Sequence, residues 1–183
     1  FPSKWSDIEA QLDRLDQTGD NIEVTIACAV QILNIYYIPD FIQWKIQKNY
    51  KKINPWPLGA GLLNFHFVYH PAHLNVKVLP AFFKEKVRQK YEDFYDWLKK
   101  EYRADQDFLE SGYGIKRLKG MVSFMESEDW SRRLPQFREY ISHMDKIRQT
   151  QFSGVFPEMA ELLLEEGSKV ERTTTELPLN SSL

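Results

Sequence analysis

Cysteine is almost missing from this chain, because Cys28 is the one cysteine in 183 residues. A single thiol excludes an internal disulfide and does not supply the several thiolates that hold an iron–sulfur cluster. We therefore expect a reducing, cytoplasmic location. In an apolar stretch, a lone cysteine is typical of a small, inert core residue, and this is the interpretation we favour for Cys28.

A strong charge imbalance and a long apolar run are also missing. The formal net charge is -2, so we expect no bulk attraction to nucleic acid or to an anionic membrane. Glu23, Gln31 and Asn34 interrupt the richest apolar stretch, which excludes a membrane-spanning helix there. The chain starts at Phe1 without a charged segment and an apolar core that would indicate a signal peptide. We expect that it begins inside a longer protein or that its true N-terminus was removed.

Apolar residues are plentiful, at 43% of the chain with 14% aromatic, and they predict a folded body. Their helical spacing and the placement of proline predict six helices. The clearest one follows Pro80, where apolar positions recur every three or four residues. The predicted helices cover residues 7–17, a segment from Pro39, a segment after Pro80, segments around 115–125 and 134–144, and a last one opened by Pro157.

Two apolar, β-branched stretches interrupt this helical pattern. The first two-thirds of residues 22–35 predict a buried strand, residues 62–69 predict a second strand, and residues 74–79 predict a short extended piece. Strands that alternate with helices indicate βα units of a parallel sheet. The predicted fold class is α/β: a partial (βα) barrel fragment with two to three parallel strands, followed by a C-terminal helical segment.

The predicted organisation has three parts. Residues 1–104 hold the βα units, residues 105–166 form a C-terminal helical extension, and residues 167–183, rich in Ser and Thr, form a disordered tail. Loops are predicted at 54–61 and 103–114. A complete eight-fold barrel takes about 250 residues, so this chain cannot close one alone. A partner segment is expected to cover the cut edge of the sheet.

The predicted strands each divide into a bulky face and a lean face, because successive side chains point to opposite sides. The bulky face suits packing against helices, and the lean face suits a barrel interior with room for a ligand. The bulky set is Ile22, Val24, Ile26, Cys28 and Val30, then Phe65, Phe67 and Tyr69. The lean set is Glu23, Thr25, Ala27, Ala29 and Gln31, then Asn64, His66, Val68 and His70.

Sites in parallel α/β folds lie at the carboxyl ends of the strands. The polar residues nearest that mouth are Gln31, Asn34, His66 and His70. Within residues 140–164, Asp145-Lys146-Ile147-Arg148 is followed by Phe156-Pro157-Glu158. The other two segments of interest are residues 34–39, with the pattern N-x-Y-x-I-P, and residues 68–80, with V-x-x-P and later L-P.

In their order and spacing, these three segments resemble radical S-adenosylmethionine (radical SAM) proteins of the twitch-domain class. The likeness covers residues 7–164. In that family a reduced [4Fe–4S] cluster cleaves S-adenosylmethionine to a 5′-deoxyadenosyl radical, which takes a hydrogen atom from the substrate. The cofactors implied for the intact protein are therefore S-adenosylmethionine and a [4Fe–4S] cluster.

The resemblance also implies site residues, because late strands of the family line the adenosine side of the cofactor and the substrate pocket. The implied cofactor contacts are Cys28, Gln31 and Asn34. The implied substrate contacts are Thr25, Asn64, His66 and His70. No catalytic residue and no metal ligand is assigned to this chain.

The family's C-x-x-x-C-x-x-C signature is missing from the sequence, and in the family it lies upstream of the matching region. The expected function is therefore the C-terminal part of a radical SAM enzyme. It would supply pocket wall and covering helices, bind no cofactor alone and be inactive by itself. The expected partner is the missing N-terminal barrel half or a partner chain, and the substrate stays open. The alternative is a stand-alone, non-catalytic accessory or interaction module that binds a partner through the exposed sheet edge.

Three histidines raise the alternative of a metal site. On an extended strand His66 and His70 would lie about 13 Å apart, too far to share one ion. Only a break at Pro71 would bring His70 and His73 together. We therefore expect satisfied or solvent-facing histidines and no metal.

Two charged clusters and one glycine loop also have structural explanations. We expect Asp145, Lys146 and Arg148 to cap the end of a helix. We expect a solvated helix face for Lys84, Lys86, Arg88 and Lys90. The loop at residues 59–61 lacks the lysine and the strand–Gly–helix order of a phosphate loop, so it predicts a turn.

Overall fold

A computed structural model describes residues 4–19, 21–22, 24–53, 63–101 and 112–164. Within these ranges the helices are α1 (Trp5–Asp16), α2 (Ile38–Gln47), α3 (Ala81–Glu101), α4 (Tyr113–Glu126), α5 (Leu134–Arg148) and α6 (Phe152–Val155). The strands are β1 (Ala27–Val30) and β2 (Asn64–Phe67). The 3₁₀ segments are Ile35–Tyr37, Ala72–Leu74, Val76–Val78, Ser131–Arg133 and Pro157–Leu163.

The chain is a mixed α/β protein that is mostly helical and contains a small two-stranded parallel sheet. Five of the six predicted helices are present as α1 to α5, whereas the segment opened by Pro157 is a 3₁₀ helix. The predicted loop at 54–61, the boundary between residues 104 and 105, and the tail at 167–183 lie outside the described residues. The chain divides into two compact units, Phe1–Phe137 and Arg138–Leu183.

The predicted parallel pairing of the two strands is confirmed. Ala27 pairs with Asn64, and the register continues to Val30 opposite Phe67. Both strands are shorter than predicted. Before β1, Val24 forms an isolated parallel bridge to Ile53 instead of a ladder with β2.

The prediction of an extended piece at 74–79 is wrong. Two 3₁₀ turns, Ala72–Leu74 and Val76–Val78, occupy this stretch. Asn75 organises them, because its side chain donates to the Val68 carbonyl oxygen at 2.9 Å and accepts from the Lys77 N–H at 3.0 Å. All residues from 74 to 79 are buried, so the apolar run reflects a core position and not a strand.

In the first unit, helix α3 supplies the largest share of the core. Its buried residues include the predicted stripe Phe83, Val87, Tyr91, Phe94 and Leu98. No glycine or proline interrupts this helix, and the stripe follows the three- and four-residue steps of one helical face. Each such buried side chain contributes about 1.5–3 kcal/mol to stability. Helix α3 packs against α2 and α4.

None of the residues of helix α1 is fully buried, and the helix is attached both by polar contacts and by Trp5, whose ring lies 4.8 Å from that of Trp44. The Asp16 carboxylate accepts hydrogen bonds from the backbone N–H groups of Lys51, Lys52 and Ile53, at 3.1, 2.8 and 3.3 Å. Tyr50 donates its hydroxyl to Asp13 at 2.9 Å. These bonds fix the end of α1 to the segment that follows α2.

In the second unit, Asp145 connects α5 to α6. Its carboxylate accepts the Phe152 N–H at 2.9 Å, at the start of α6, and the Thr150 hydroxyl at 3.2 Å. Arg138 donates to the carbonyl oxygens of Leu162 and Leu164 at the end of the 3₁₀ helix. Asp145 therefore has a structural role at the start of α6, whereas capping of α5 by Lys146 and Arg148 stays a prediction. No helix among the described residues is long and apolar enough to cross a membrane.

Candidate functional site

The lean face of the parallel sheet is exposed to solvent. The register places Ala27 beside Asn64 and Ala29 beside His66, and all four residues are exposed. The opposite face is the bulky one, where Val30 and Phe65 are buried. The predicted division of each strand into two faces is confirmed for the paired residues.

Helix α4 covers the bulky face. The Phe124 ring lies 4.1 Å from the Phe67 ring, measured between centroids. The Arg117 guanidinium lies 5.6 Å from the centroid of the Phe65 ring. The sheet is therefore covered on its bulky side and leaves its small and polar side open.

The four implied substrate contacts are all exposed. Asn64 and His66 lie on the lean face of β2, Thr25 precedes β1, and His70 lies just beyond the carboxyl end of β2. The structure thus brings Asn64 and His66 onto one surface with the two alanines of β1. Their role in binding a substrate stays a prediction.

Cys28 lies on the other side of the sheet. It pairs with Phe65 on the bulky face and is half-buried. Burial raises the pKa of its thiol, which favours the protonated and less nucleophilic form. The geometry therefore does not place its side chain with His66, and its contact with a cofactor stays a prediction.

Asn34 lies at the carboxyl end of β1, and its side-chain amide is engaged with the backbone. The amide nitrogen donates to the Ala29 carbonyl oxygen at 2.9 Å, and the amide oxygen accepts the Gln31 N–H at 2.9 Å. Gln31 uses only its backbone in this arrangement, and its side chain is half-buried. The contact of the Gln31 side chain with a cofactor stays a prediction.

Arg117, for which no role was predicted from the sequence, occupies a backbone group at the outer edge of β2. Its guanidinium donates to the Phe65 carbonyl oxygen at 2.9 Å and stacks at 5.6 Å from the Tyr113 ring centroid. Asn64 and Val68 donate their N–H groups to β1. Because backbone groups alternate in direction along a strand, those of Phe65 point away from β1. Arg117 therefore occupies a position where a further strand would pair.

A cluster of aromatic and charged side chains lies past the carboxyl end of β2. The Lys77 ammonium sits 4.4 Å from the Phe124 ring centroid and forms an ion pair with Glu128. The hydrogen bond from the Lys77 ammonium group lowers the pKa of the Glu128 carboxyl group, and a hydrogen bond from the Trp130 indole lowers it further. Tyr69 is 54% exposed and packs edge-on against Phe124. The cluster lies on the side of the sheet that α4 covers, because Phe124 also packs on Phe67.

The residues that the structure describes do not fit an iron–sulfur cluster. No group of three or more His, Cys, Asp or Glu side chains within them is arranged to hold a metal ion, and Cys28 is the one cysteine of the chain. No chemical step through such a cluster is therefore assigned to this chain.

A small cavity of about 120 Å³ lies between α2 and α3. Its lining includes Asp40 and Lys90, which form an ion pair at 2.7 Å. Because these two charges satisfy one another, the cavity offers no free charged group from this pair. We do not assign a ligand to it.

The fold and the exposed sheet face define a class only: a mostly helical α/β protein with a two-stranded parallel sheet whose polar side is open. No protein-family model matches the chain, and no curated protein or solved structure matches it either.

Proposed function

We propose that this chain is the C-terminal part of a radical SAM enzyme of the twitch-domain class. In this proposal the lean face of β1 and β2 forms part of the wall of the cofactor and substrate pocket, and the helices cover the opposite face. The location would be cytoplasmic. S-adenosylmethionine and the [4Fe–4S] cluster would be held mainly by an N-terminal part that this chain lacks.

The observation that carries the proposal is the parallel register of β1 with β2. It sets the small and polar side chains of both strands on one exposed surface and their bulky side chains on the helix side. In a βα barrel the interior must leave room for a ligand while the helices bury the other face. A surface of two alanines flanked by Asn64 and His66 meets that requirement.

The parts assigned to individual residues follow from where they lie. His66 and Asn64 offer hydrogen-bonding groups to a substrate on the lean face. Gln31, at the carboxyl end of β1, offers its side-chain amide to the cofactor. The cofactor itself supplies the radical chemistry, and this chain would orient the reactants and exclude water.

Reconstitution of the isolated chain tests the proposal. When iron, sulfide and S-adenosylmethionine are added without oxygen, we expect no cluster absorbance and no 5′-deoxyadenosine. The matched sample is the same chain extended by the polypeptide that its reading frame encodes before Phe1, which should give both signals. Cluster absorbance from the isolated chain, or an upstream segment without C-x-x-x-C-x-x-C, would contradict the proposal.

A second candidate function is a non-catalytic interaction module. The observation in its favour is that Arg117 and Asn34 occupy backbone groups at the two outer edges of the sheet. Such caps let a small sheet exist without further strands. A reading frame that opens at Phe1, together with a monomeric and folded chain in sedimentation, would favour this candidate over the enzyme fragment.

A further inference from the structure

Helix α1 uses its acidic side for attachment and leaves part of its apolar stripe exposed. Ile8 and Leu15 are each 41% exposed, and no residue of α1 is fully buried. Glu9, Asp13 and Asp16 recur at steps of four and three residues, which places them on one face of the helix. This face carries the polar contacts of α1 to the rest of the first unit. A surface helix usually buries its apolar stripe, so the charged side has taken over much of that role here.

Lys48 and Tyr50 receive the first two carboxylates. The Lys48 ammonium nitrogen lies 2.7 Å from a Glu9 carboxylate oxygen and 3.7 Å from an Asp13 carboxylate oxygen. Tyr50 donates its hydroxyl to Asp13 at 2.9 Å. In these contacts α1 contributes only acceptors, and the segment at the end of α2 contributes only donors. The two surfaces are therefore complementary in charge.

The two ends of α1 are held by backbone donors and by an aromatic pair. Asp16 accepts the N–H groups of residues 51–53. At the start of the helix, Trp5 packs edge-on against Trp44, with 4.8 Å between the ring centroids. The receiving surface fits a helix with the pattern W-x-x-x-E-x-x-x-D-x-x-D. We call it the α1-docking surface, and it consists of Trp44, Lys48, Tyr50 and the N–H groups of residues 51–53.

The connection that follows α1 is long enough for the helix to leave this surface. Helix α1 ends at Asp16, and the chain is next paired at Val24, which forms a parallel bridge to Ile53. The intervening residues 17–23 span up to about 23–25 Å when extended, more than the length of α1 itself, about 18 Å. Release of α1 therefore does not require the Val24 bridge to break.

From this geometry we propose that the α1-docking surface also receives α1 from a second copy of the chain, by reciprocal exchange. A second copy carries the same acidic face, so every contact made within one chain is available between two. Each copy gives its helix and receives the other, which closes the pair with two-fold symmetry. The inference goes beyond the proposed function and applies to the isolated chain.

Two charge-reversed variants, mixed in equal amounts, test the exchange. Lys48→Glu places a carboxylate against the acidic side of its own α1, and Glu9→Lys places an ammonium group against its own Lys48. Each variant alone is therefore repulsive within one chain and between like copies. In the mixture, each docking surface meets an α1 of opposite charge from the other variant. Only exchange between chains restores both ion pairs.

Native mass spectrometry, with one variant labelled with ¹⁵N, counts the heterodimers and both homodimers. We expect heterodimers about tenfold above their statistical share. A mixture of Glu9→Lys with Lys116→Glu, a reversal at an exposed position of α4, is the matched control and should show no such preference. A statistical share in the test mixture, or monomers alone, would overturn the inference.

The double variant Glu9→Lys/Lys48→Glu and the unchanged chain complete the test. The double variant restores the ion pair within one chain, so labelled and unlabelled copies of it should mix statistically. Dimers of the unchanged chain should increase with concentration in sedimentation and decrease as salt rises from about 0.05 to 0.5 M, because exposed ion pairs are screened. An unchanged chain that stays monomeric up to about 1 mM would overturn the exchange. Far-UV circular dichroism verifies folding of each variant.

Discussion

The ammonium group of Lys84 donates a hydrogen bond to the backbone carbonyl oxygen of Glu128, 2.8 Å away. Lys84 is on α3 and only 8% exposed, so the predicted solvated face is wrong at this position. Lys77 pairs with the carboxylate of the same Glu128. Two lysines therefore hold the connection after α4 against the first unit's core. Burial lowers the pKa of Lys84.

Replacing Lys84 tests this attachment. Lys84→Met keeps the apolar stem and removes the donor, so the Glu128 carbonyl oxygen loses its partner. We expect the free energy of unfolding to fall by about 1–2 kcal/mol. Lys116→Met, at an exposed position of α4, should change it by less than about 0.5 kcal/mol. Equal effects of the two substitutions in urea unfolding would contradict the attachment.

Lys45 makes the free energy of unfolding depend on pH. Burial lowers its pKa from 10.5 to about 8, and the residue is 3% exposed. Between these two values the unfolded chain binds more protons than the folded chain, so the contribution of Lys45 to stability rises with pH in that window. Below pH 8 the folded state carries the full cost of the buried charge.

Lys45→Met should remove this dependence. The difference in unfolding free energy, variant minus unchanged chain, should decrease by about 2–3 kcal/mol as the pH rises from 8 to 10.5. Taking the difference at each pH cancels the titration of all other groups. Urea unfolding at four pH values gives this difference, and one that stays constant with pH would show that the ammonium group is not desolvated.

Arg117 is expected to limit self-association through β2. Arg117→Met leaves the Phe65 carbonyl oxygen at the outer edge without its donor, and open strand edges pair with other chains. Sedimentation velocity should show more concentration-dependent association than in the unchanged chain. Arg132→Met removes the same charge at an exposed position and serves as the control. Equal association of the two variants would show that the loss of a positive charge, and not the open strand edge, causes the association.

The faces of the sheet could be predicted because alternation along a strand depends on local sequence alone. Cys28 and Val30 alternate with Ala27 and Ala29, and the structure keeps them on opposite sides. The long helix after Pro80 was predictable for the same reason, since its buried stripe repeats at the helical period.

The edges and the buried charges could not be predicted, because they depend on contacts between residues far apart in sequence. Arg117 reaches Phe65 across 52 positions, and Lys84 reaches Glu128 across 44. The sequence around Arg117 and around Lys84 does not distinguish either residue from a charged residue that is exposed to solvent. The prediction for residues 74–79 was wrong for another reason. These residues are all buried, so the segment is rich in apolar residues, as a buried strand is.

Gln31 is the residue with which we test the proposed cofactor contact. In the chain extended through its upstream reading frame, Gln31→Ala should weaken the binding of S-adenosylmethionine about tenfold, the equivalent of one hydrogen bond of about 1.4 kcal/mol. Equilibrium dialysis measures this dissociation constant. Gln47→Ala is the control. An unchanged constant would remove Gln31 from the cofactor site and leave the fold unaffected.

The central claim is that the exposed polar face of β1 and β2 completes a radical SAM pocket that this chain cannot form alone. The most direct measurement is the yield of 5′-deoxyadenosine from S-adenosylmethionine under reducing, oxygen-free conditions, with the isolated chain and the upstream-extended protein side by side. The account predicts product from the extended protein and none from the isolated chain. Product from the isolated chain, or none from the cluster-loaded extended protein, would contradict it.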